Sequence, residues 1–494
     1  MSSKSTEIDI KVKFGLKSFI AVVAILLVVL ITVGILTYVI PAGKYTIYTN
    51  DISKINEPFY EYTTDESLDN QIVIDSYREL SEKENSSRLP FIRWLTSPFE
   101  ALFLSDNTAN VFMIIALLLV LGGTFQVLEE SGGLVALVRV IMLKLQSRRF
   151  IAIWVITAVI MVLSAVFGLQ EQLLILYPVF AILCTALNWS RFTAIALILI
   201  STGVGFTTAI TNPWTIGTAS IAAGVNVTDG IWYRCIIFCV LYVVTSLFLT
   251  FLAKHDEKKA KEKFDVHEFI TVSDEEHADD VRKSKMIIIL FSVALFAVII
   301  TSVFESLISL SMVFMAAAFI IGTAIVGKIL LGSNKRLCKS FFQGAKAVSP
   351  SIVIIMIAFG ITYIAQQGNI LHTIFYHFYN MVTNMSPYLA VVMLYVFVLI
   401  VEFFIPSASA KAVLIIPMLT LAPIEGLSKT VILLTYLFAD GYTNVLYPTC
   451  GTLLVGLGLA DVSFAEWFKK TILFQLILLA FSMAFIMLAV FIGL

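Results

Sequence analysis

Long apolar runs separated by short polar connections recur along most of this 494-residue chain. Hydrophobic residues make up 59% of the sequence and charged residues only 14%. A helix of about 20 apolar residues spans a bilayer and satisfies its own backbone hydrogen bonds there. The pattern predicts an all-α polytopic membrane protein in a lipid bilayer, with room for roughly 10 to 12 spans. The formal net charge of -1 offers no basic surface, so a nucleic-acid partner is not expected.

The distribution of Lys and Arg predicts the orientation, because short cytoplasmic loops are enriched in these residues. The N-terminal tail and the segments 139–149 and 333–347 are basic, whereas 214–230 and 369–387 contain no Lys or Arg. The N-terminus is therefore expected to be cytoplasmic. The predicted organisation is a tail (1–18), a first repeat half (19–253) with an extracytoplasmic loop (41–98), a cytoplasmic linker (254–285), and a linking span with an inverted second repeat half (286–494).

Two polar stretches interrupt the apolar sequence at membrane depth. Residues 207–213 and 440–449 each contain Thr-Asn and a nearby Pro. Glu171 lies 41 residues before Asn212, and Glu402 lies 42 before Asn444. Irregular backbone is tolerated inside a bilayer only where it is buried in protein or lines a wet cavity. The two stretches predict two broken transmembrane helices in inverted repeats, which together form a transport site.

Two apolar segments predict re-entrant hairpins, one in each half. The first covers 151–187 with its turn at 168–172, and the second covers 388–424 with its turn at 406–411. Each hairpin precedes one of the predicted breaks. This common order supports an internal repeat.

Four ionisable residues lie deep in apolar sequence: Glu171, Glu402, Lys411 and Asp440. A charge facing lipid at a helix centre costs about 2.5 to 3.5 kcal/mol or more, so these groups must face protein, water or ligand. Three carboxylates against one ammonium favour a cation, namely coupling H⁺ or Na⁺ or the amino group of a substrate. The alternative is a structural ion pair of Lys411 with Glu402 or Asp440.

Neutral polar residues near the breaks and hairpin turns complete the predicted substrate or ion site. Interrupted half-helices direct N-terminal dipoles at anions and free carbonyls at cations, so a carboxylate and a Na⁺ near Asn212 and Asn444 are expected. The alternative is that these side chains cap helices and form interhelical hydrogen bonds. The candidates are Gln172, Thr211, Asn212, Pro213, Ser407, Ser409, Thr443, Asn444 and Thr449.

Several short motifs of this chain are similar to those of a known transporter family. They are 168–171 (Gly-Leu-Gln-Glu), 211–215 (Thr-Asn-Pro-Trp-Thr), 404–409 and 439–444, with Pro448-Thr449. Through them the chain resembles the C4-dicarboxylate anaerobic carrier (DcuC) family of bacterial transporters. Within that family it is most similar to the YfcC-like branch of basic amino acid or arginine/ornithine antiporters. The resemblance implies an ion transporter superfamily fold, with inverted repeats, an elevator movement and a homodimer in the bacterial inner membrane.

The expected function is secondary active transport of a small carboxylate-bearing solute, an amino acid moved by antiport or ion-coupled uptake. No enzyme activity or cofactor is expected beyond a coupling Na⁺ or H⁺. Lys411 could attract a carboxylate or repel a cationic side chain, so a carrier of C4-dicarboxylates or other organic anions stays open. A passive channel is disfavoured. An intramembrane aspartyl protease would need a second aspartate at the depth of Asp440, and the apolar spans supply none.

Overall fold

The structure is a computed structural model that describes residues 16–494, apart from 52–57, 65–72, 74–75, 82–88, 105–107, 146–148, 260–271, 304–309, 383–384, 406–407 and 422–425. The helices are α1 (Leu16–Val39), α2 (Phe91–Leu104), α3 (Thr108–Glu130), α4 (Gly133–Leu145), α5 (Arg149–Phe167), α6 (Tyr177–Ala186), α7 (Arg191–Thr208), α8 (Thr218–Ala223), α9 (Ile231–Lys259), α10 (Asp274–Val303), α11 (Ser311–Leu331), α12 (Asn334–Val348), α13 (Pro350–Gln367), α14 (Ile370–Val382), α15 (Pro387–Phe404), α16 (Ala408–Leu421), α17 (Lys429–Thr443), α18 (Gly451–Leu459) and α19 (Phe464–Phe491).

Four short strands lie between α1 and α2: β1 (Gly43–Lys44), β2 (Ile47–Thr49), β3 (Tyr60–Tyr62) and β4 (Arg78–Glu79). β1 pairs with β4 antiparallel and β2 pairs with β3 parallel. The predicted all-α membrane architecture is confirmed, with this small strand-containing loop as its exception.

Fewer helices than expected are long and apolar enough to cross a membrane. Within the described residues there are 8, or up to 9 if α12 and α13, which meet at 43°, count as one span. The segment 191–223 is 94% buried, whereas the other seven candidates are 28% to 50% buried. Outer helices expose apolar side chains as lipid requires, while the central segment is surrounded by protein.

Most of the described helices fall into two packed groups. In the first group, α7 packs against α5, α6, α9 and α17, and α15 and α19 pack against α17. In the second group, α3 packs against α11 and α12, α10 against α11, and α13 against α1 and α2. α18 contacts α13, so the segment after α17 lies where the two groups meet.

Both predicted helix interruptions are present, but each begins later in the chain than expected. α7 continues through Thr208 and is capped by Ala209, which has a left-handed φ of 34°. α17 continues through Thr443 and α18 begins at Gly451. A proline clashes with the carbonyl four residues before it. Pro213 therefore prevents a helical hydrogen bond to the carbonyl of Ala209, and Pro448 prevents one to the carbonyl of Asn444. Asp440 and Thr443 are therefore helical, which corrects their placement in the broken segment.

Each segment predicted to form a hairpin contains two helices joined by a short connection. α5 is followed by residues 168–170, a 3₁₀ helix (Glu171–Leu176) and α6. α15 ends at Phe404 and α16 begins at Ala408, so Ser409 and Lys411 lie in a helix and not in the turn as expected. Ser407 lies outside the described residues.

Several connections predicted to be loops are helical. α4 and α12 overlap the basic segments, α14 lies in the outer segment 369–387, and α2 begins before the predicted end of the loop 41–98. The predicted linker 254–285 is helical at both ends, because α9 extends to Lys259 and α10 starts at Asp274. These helices were missed because their charged or amphipathic sequences lack the continuous apolar run that marks a span.

The strand-containing loop packs on α14 through His372, whose Nδ1 accepts the backbone N–H of Tyr45 at 3.0 Å. Burial, aided by the nearby charge of Lys44, lowers the pKa of His372 to about 4, from about 6.5 for an exposed histidine. The unfolded chain therefore binds this proton at higher pH than the folded one. The stability that this contact contributes is present above about pH 6.5 and is lost as the pH falls towards 4.

At pH 7.5 we expect the free energy of unfolding of the wild type to be larger than that of the His372→Asn variant by on the order of 1 kcal/mol. The difference is small because His372 is only partly buried and solvent weakens the effect. The difference should shrink at pH 5. Melting temperatures of both proteins in detergent at the two pH values measure it. A difference that stays constant with pH would show that the His372 contact is not titrating.

Candidate functional site

A cavity of about 220 Å³ lies between the two helix groups. One wall is formed by α3, α12 and α13, and the other by the 3₁₀ helix with its preceding turn and by the segment from the end of α17 into α18. Most lining side chains are apolar. The polar lining groups are Gln126, Glu129, Gln170, Glu171, Gln172, Thr362, Asn444, Thr449 and Thr452.

The polar side of the cavity joins the first hairpin to the second break. Glu171 Oε1 accepts a hydrogen bond from the Thr452 hydroxyl at 3.0 Å. Asn444 Oδ1 accepts the thiol of Cys450 at 3.5 Å, and both residues line the cavity. The Thr449 hydroxyl is buried and has no hydrogen-bond partner among the described residues. A buried hydroxyl without a partner is costly, and Thr449 is one of the residues that line the cavity.

Gln172 lines the cavity and also shapes its wall. Its Oε1 accepts the backbone N–H of Gln170 at 2.9 Å, which fastens the turn before the 3₁₀ helix. Gly168 in this turn has a φ of 68°, and a Cβ there would overlap the side chain of Asn212. The turn therefore needs glycine both for its backbone conformation and for its close approach to the first break.

Glu402, Lys411 and Asp440 form a buried ion triad that does not line the cavity. The Lys411 ammonium donates to Asp440 Oδ1 at 2.8 Å and contacts Glu402 Oε2, and it lies 5.3 Å from the ring centre of Tyr436. The side chains are 0% to 1% exposed. Of the three embedded carboxylates, only Glu171 faces the cavity. The ion-pair partner of Asp440 is Lys411, whereas an aspartyl protease needs a second aspartate beside the first.

The first break is held by hydrogen bonds to the end of α5 and by a local cap, and Thr211, Asn212 and Pro213 do not line the cavity, although Trp214 does. The backbone N–H groups of Thr211 and Asn212 both donate to Ala165 O at 3.1 Å. The Thr211 hydroxyl donates to Val166 O at 3.1 Å, and Asn212 Oδ1 accepts the N–H of Trp214 at 2.9 Å. Pro213 begins a π-helix (Pro213–Gly217). The geometry matches the capping alternative at this break.

Thr443 has a similar local role in α17. Its hydroxyl donates to the carbonyl of Asp440 at 2.9 Å. The side chain of Ser409 is among those the structure does not describe.

Arg234 was missed by the sequence analysis although it is 3% exposed. Its guanidinium donates to the carbonyls of Ala209 at 3.5 Å and Asp229 at 3.3 Å, and contacts Val227 O. Ala209 ends α7, so Arg234 supplies a donor to a carbonyl that the break leaves without a helical partner. The available signal was an isolated Arg in the apolar segment 231–253.

Two glycines provide a matched test of cavity and packing. A Cβ at Gly451, which lines the cavity, would meet no atom within 4 Å, whereas a Cβ at Gly441 would overlap the backbone of Thr207. We expect Gly451→Ala to fold normally but to bind solute about 5-fold more weakly, as a misplaced methyl in a pocket does. Gly441→Ala should lower stability by about 1 to 3 kcal/mol because α7 and α17 are forced apart. Melting temperature and transport assays of both variants separate the two effects, and equal loss of stability would contradict the assignment.

Comparison with known proteins gives one family and two full-length relatives. The family model described as C4-dicarboxylate anaerobic carrier (DcuC) matches residues 19–491. The "Putative basic amino acid antiporter YfcC" of Escherichia coli K12 is 24% identical over 478 residues, covering 90% of this chain and 91% of the relative. An uncharacterized protein of Haemophilus influenzae is 23% identical over 490 residues, covering 92% and 93%.

Two solved structures are similar over nearly their whole length. The Alcanivorax borkumensis YdaH transporter has a TM-score of 0.44 and 14% identity, covering 96% of this chain and 99% of its own. Neisseria gonorrhoeae MtrF, from a class of antimetabolite efflux pumps, has a TM-score of 0.45 and 14% identity, covering 95% of each chain.

Proposed function

The chain belongs to the C4-dicarboxylate anaerobic carrier family, and from that premise we propose that this multi-pass secondary transporter carries an amino acid with a cationic side chain. It would work by antiport or by uptake coupled to H⁺ or Na⁺. The proposal agrees with the name of the Escherichia coli relative.

The observation that carries this proposal is the charge of the cavity. Its lining includes the carboxylates of Glu129 and Glu171 and, among the described residues, no Lys, Arg or His. Lys411, the cation that could have attracted an anion, is engaged with Glu402 and Asp440 away from the cavity. A buried carboxylate favours a cationic group and opposes a second anion.

The carboxylate of the amino acid would bind at the second break. α18 begins at Gly451 in the cavity wall, so its N-terminal N–H groups and helix dipole favour a negative group there. Asn444 and the partnerless hydroxyl of Thr449 would add hydrogen-bond donors. In this arrangement Glu171 binds the cationic end and Gln172 lies beside it. A Na⁺ near Asn444 would compete for the same oxygen atoms.

The family description supports a second candidate, a C4-dicarboxylate. Two carboxylates would require two cationic or strongly donating subsites. The described lining includes the first residues of α16 and α18, but it carries two acidic side chains and no basic one. We therefore propose the basic amino acid as the first candidate substrate and the dicarboxylate as the second. A Na⁺ bound near Glu171 would be needed to reverse this order.

Counterflow in proteoliposomes tests the substrate. Vesicles are loaded with arginine, ornithine, leucine or succinate, and uptake of the same labelled solute is followed with and without a Na⁺ gradient. Arginine or ornithine should exchange, whereas leucine and succinate should not. Exchange of succinate without arginine exchange would replace the proposed solute by the dicarboxylate.

We extend the proposal to the assembly and its movement. The protein would lie in the bacterial inner membrane with its N-terminus in the cytoplasm, as a homodimer whose first helix group moves against the second. The matching packing of α5 on α7 and of α15 on α17 supports an inverted repeat with two re-entrant hairpins. Cysteine cross-linking between the groups, with and without solute, would test the movement.

A further inference from the structure

The buried ion triad carries an uneven charge. Two carboxylates, Glu402 and Asp440, share the single ammonium of Lys411, and all three side chains are 0% to 1% exposed. With every group ionised the triad has a net charge of -1, which is unfavourable without water. Asp440 Oδ2 is buried and has no hydrogen-bond partner among the described residues. One additional proton would make the triad neutral.

The triad lies close behind the cavity wall. Ala408, three residues before Lys411 on α16, lines the cavity, as do Asn444, four residues after Asp440, and Cys450. The Tyr436 hydroxyl donates to Ala408 O at 2.5 Å while its ring lies beside Lys411. A movement of α16 relative to the end of α17 would therefore expose the triad to water in the cavity.

We propose that Glu402, Lys411 and Asp440 form the proton-coupling site of this carrier. One proton enters from water on one side of the membrane, is shared by the two carboxylates, and leaves to water on the other side. No other bond changes. The ammonium contacts both carboxylates and already supplies the positive charge between them, so binding of Na⁺ at this site is not expected. This inference rests on the proposed function and specifies its coupling ion.

Other titratable groups surround the triad. Tyr436 faces it from α17, and Cys450 lies within electrostatic range of both Asp440 and Lys411. Glu171 lines the cavity, as does Cys450. Tyrosine and cysteine are ordinarily neutral at pH 7, so the two carboxylates are the groups that can take up the proton.

Asp440→Asn and Glu402→Gln test the site, because each leaves one carboxylate paired with Lys411 and a neutral triad. In proteoliposomes containing a pH-sensitive dye, wild-type arginine uptake should move protons and respond to a pH gradient without Na⁺. Each variant should retain arginine counterflow within about 3-fold and lose at least about 90% of the coupled proton movement. Glu466→Gln, an exposed carboxylate 44% accessible, is the matched control and should keep both.

The outcomes separate this inference from the proposed solute. Absence of arginine counterflow in the wild type would overturn the proposal that the solute is a basic amino acid. Counterflow without proton movement, a strict need for Na⁺, or proton coupling that persists in both variants would overturn the role of the triad alone. Monodisperse elution in detergent verifies folding, and if one variant fails that check the other provides the test.

Discussion

Glu171→Gln is expected to weaken binding of arginine by at least about 30-fold, equivalent to about 2 kcal/mol or more, as loss of one partner in a buried charge pair typically does. Glu171 is the carboxylate on the polar side of the cavity, where its Oε1 accepts from Thr452. The amide has nearly the same shape but lacks the charge. Arginine counterflow over a range of concentrations measures the change in apparent affinity.

Thr452→Val provides a control that keeps the charge. It removes the hydroxyl that donates to Glu171 at 3.0 Å, and loss of one such hydrogen bond should reduce affinity by about 10-fold at most. Both proteins should remain folded. If Glu171→Gln transported arginine as well as the wild type, the cationic end of the solute would have to bind elsewhere.

Lys411→Met should produce the largest loss of stability. Glu402 and Asp440 would be left together without their ammonium in a site that is 0% to 1% exposed. Breaking a buried ion pair by removing one partner costs about 3 to 5 kcal/mol. The expected result is a marked fall in the melting temperature of the purified protein in detergent and a lower yield.

The triple variant Lys411→Met, Glu402→Gln, Asp440→Asn is the matched comparison, since it removes every charge of the triad. Its stability should return to within about 1 kcal/mol of the wild type, because uncharged replacements of buried ion pairs are often neutral or stabilising. If the single and triple variants were equally unstable, lost packing and not uncompensated charge would explain the effect.

The two helix interruptions show what local sequence can predict. Thr-Asn followed by a proline, at membrane depth, was sufficient to place both interruptions. Their starting residues, however, depended on which carbonyl each proline blocks, and Asp440 therefore belongs to α17. The helical state of Lys411 was missed for a similar reason, because the turn at 406–411 was read from small polar residues that also occur at helix starts.

The embedded charges show what local sequence cannot predict. Periodicity and hydropathy identified Glu171, Glu402, Lys411 and Asp440 as residues that must avoid lipid. They left open whether Lys411 would face the solute or a structural partner, since both solutions satisfy the same desolvation cost. Arg234 was overlooked because its partners are backbone carbonyls, one at Ala209 in the first break and two in the turn at 227–229, and no side-chain pattern marks them.

The apolar runs, the scarce charges and the paired polar interruptions determined by themselves that this chain forms a helical membrane protein with interrupted central helices. These properties depend on each segment's contact with lipid and on backbone hydrogen bonds within a few residues. Only the tertiary structure decided that Glu171 faces the cavity while Glu402 and Asp440 share Lys411 behind it. That choice depends on contacts between residues far apart in sequence, such as Glu171 and Thr452, which no local pattern encodes.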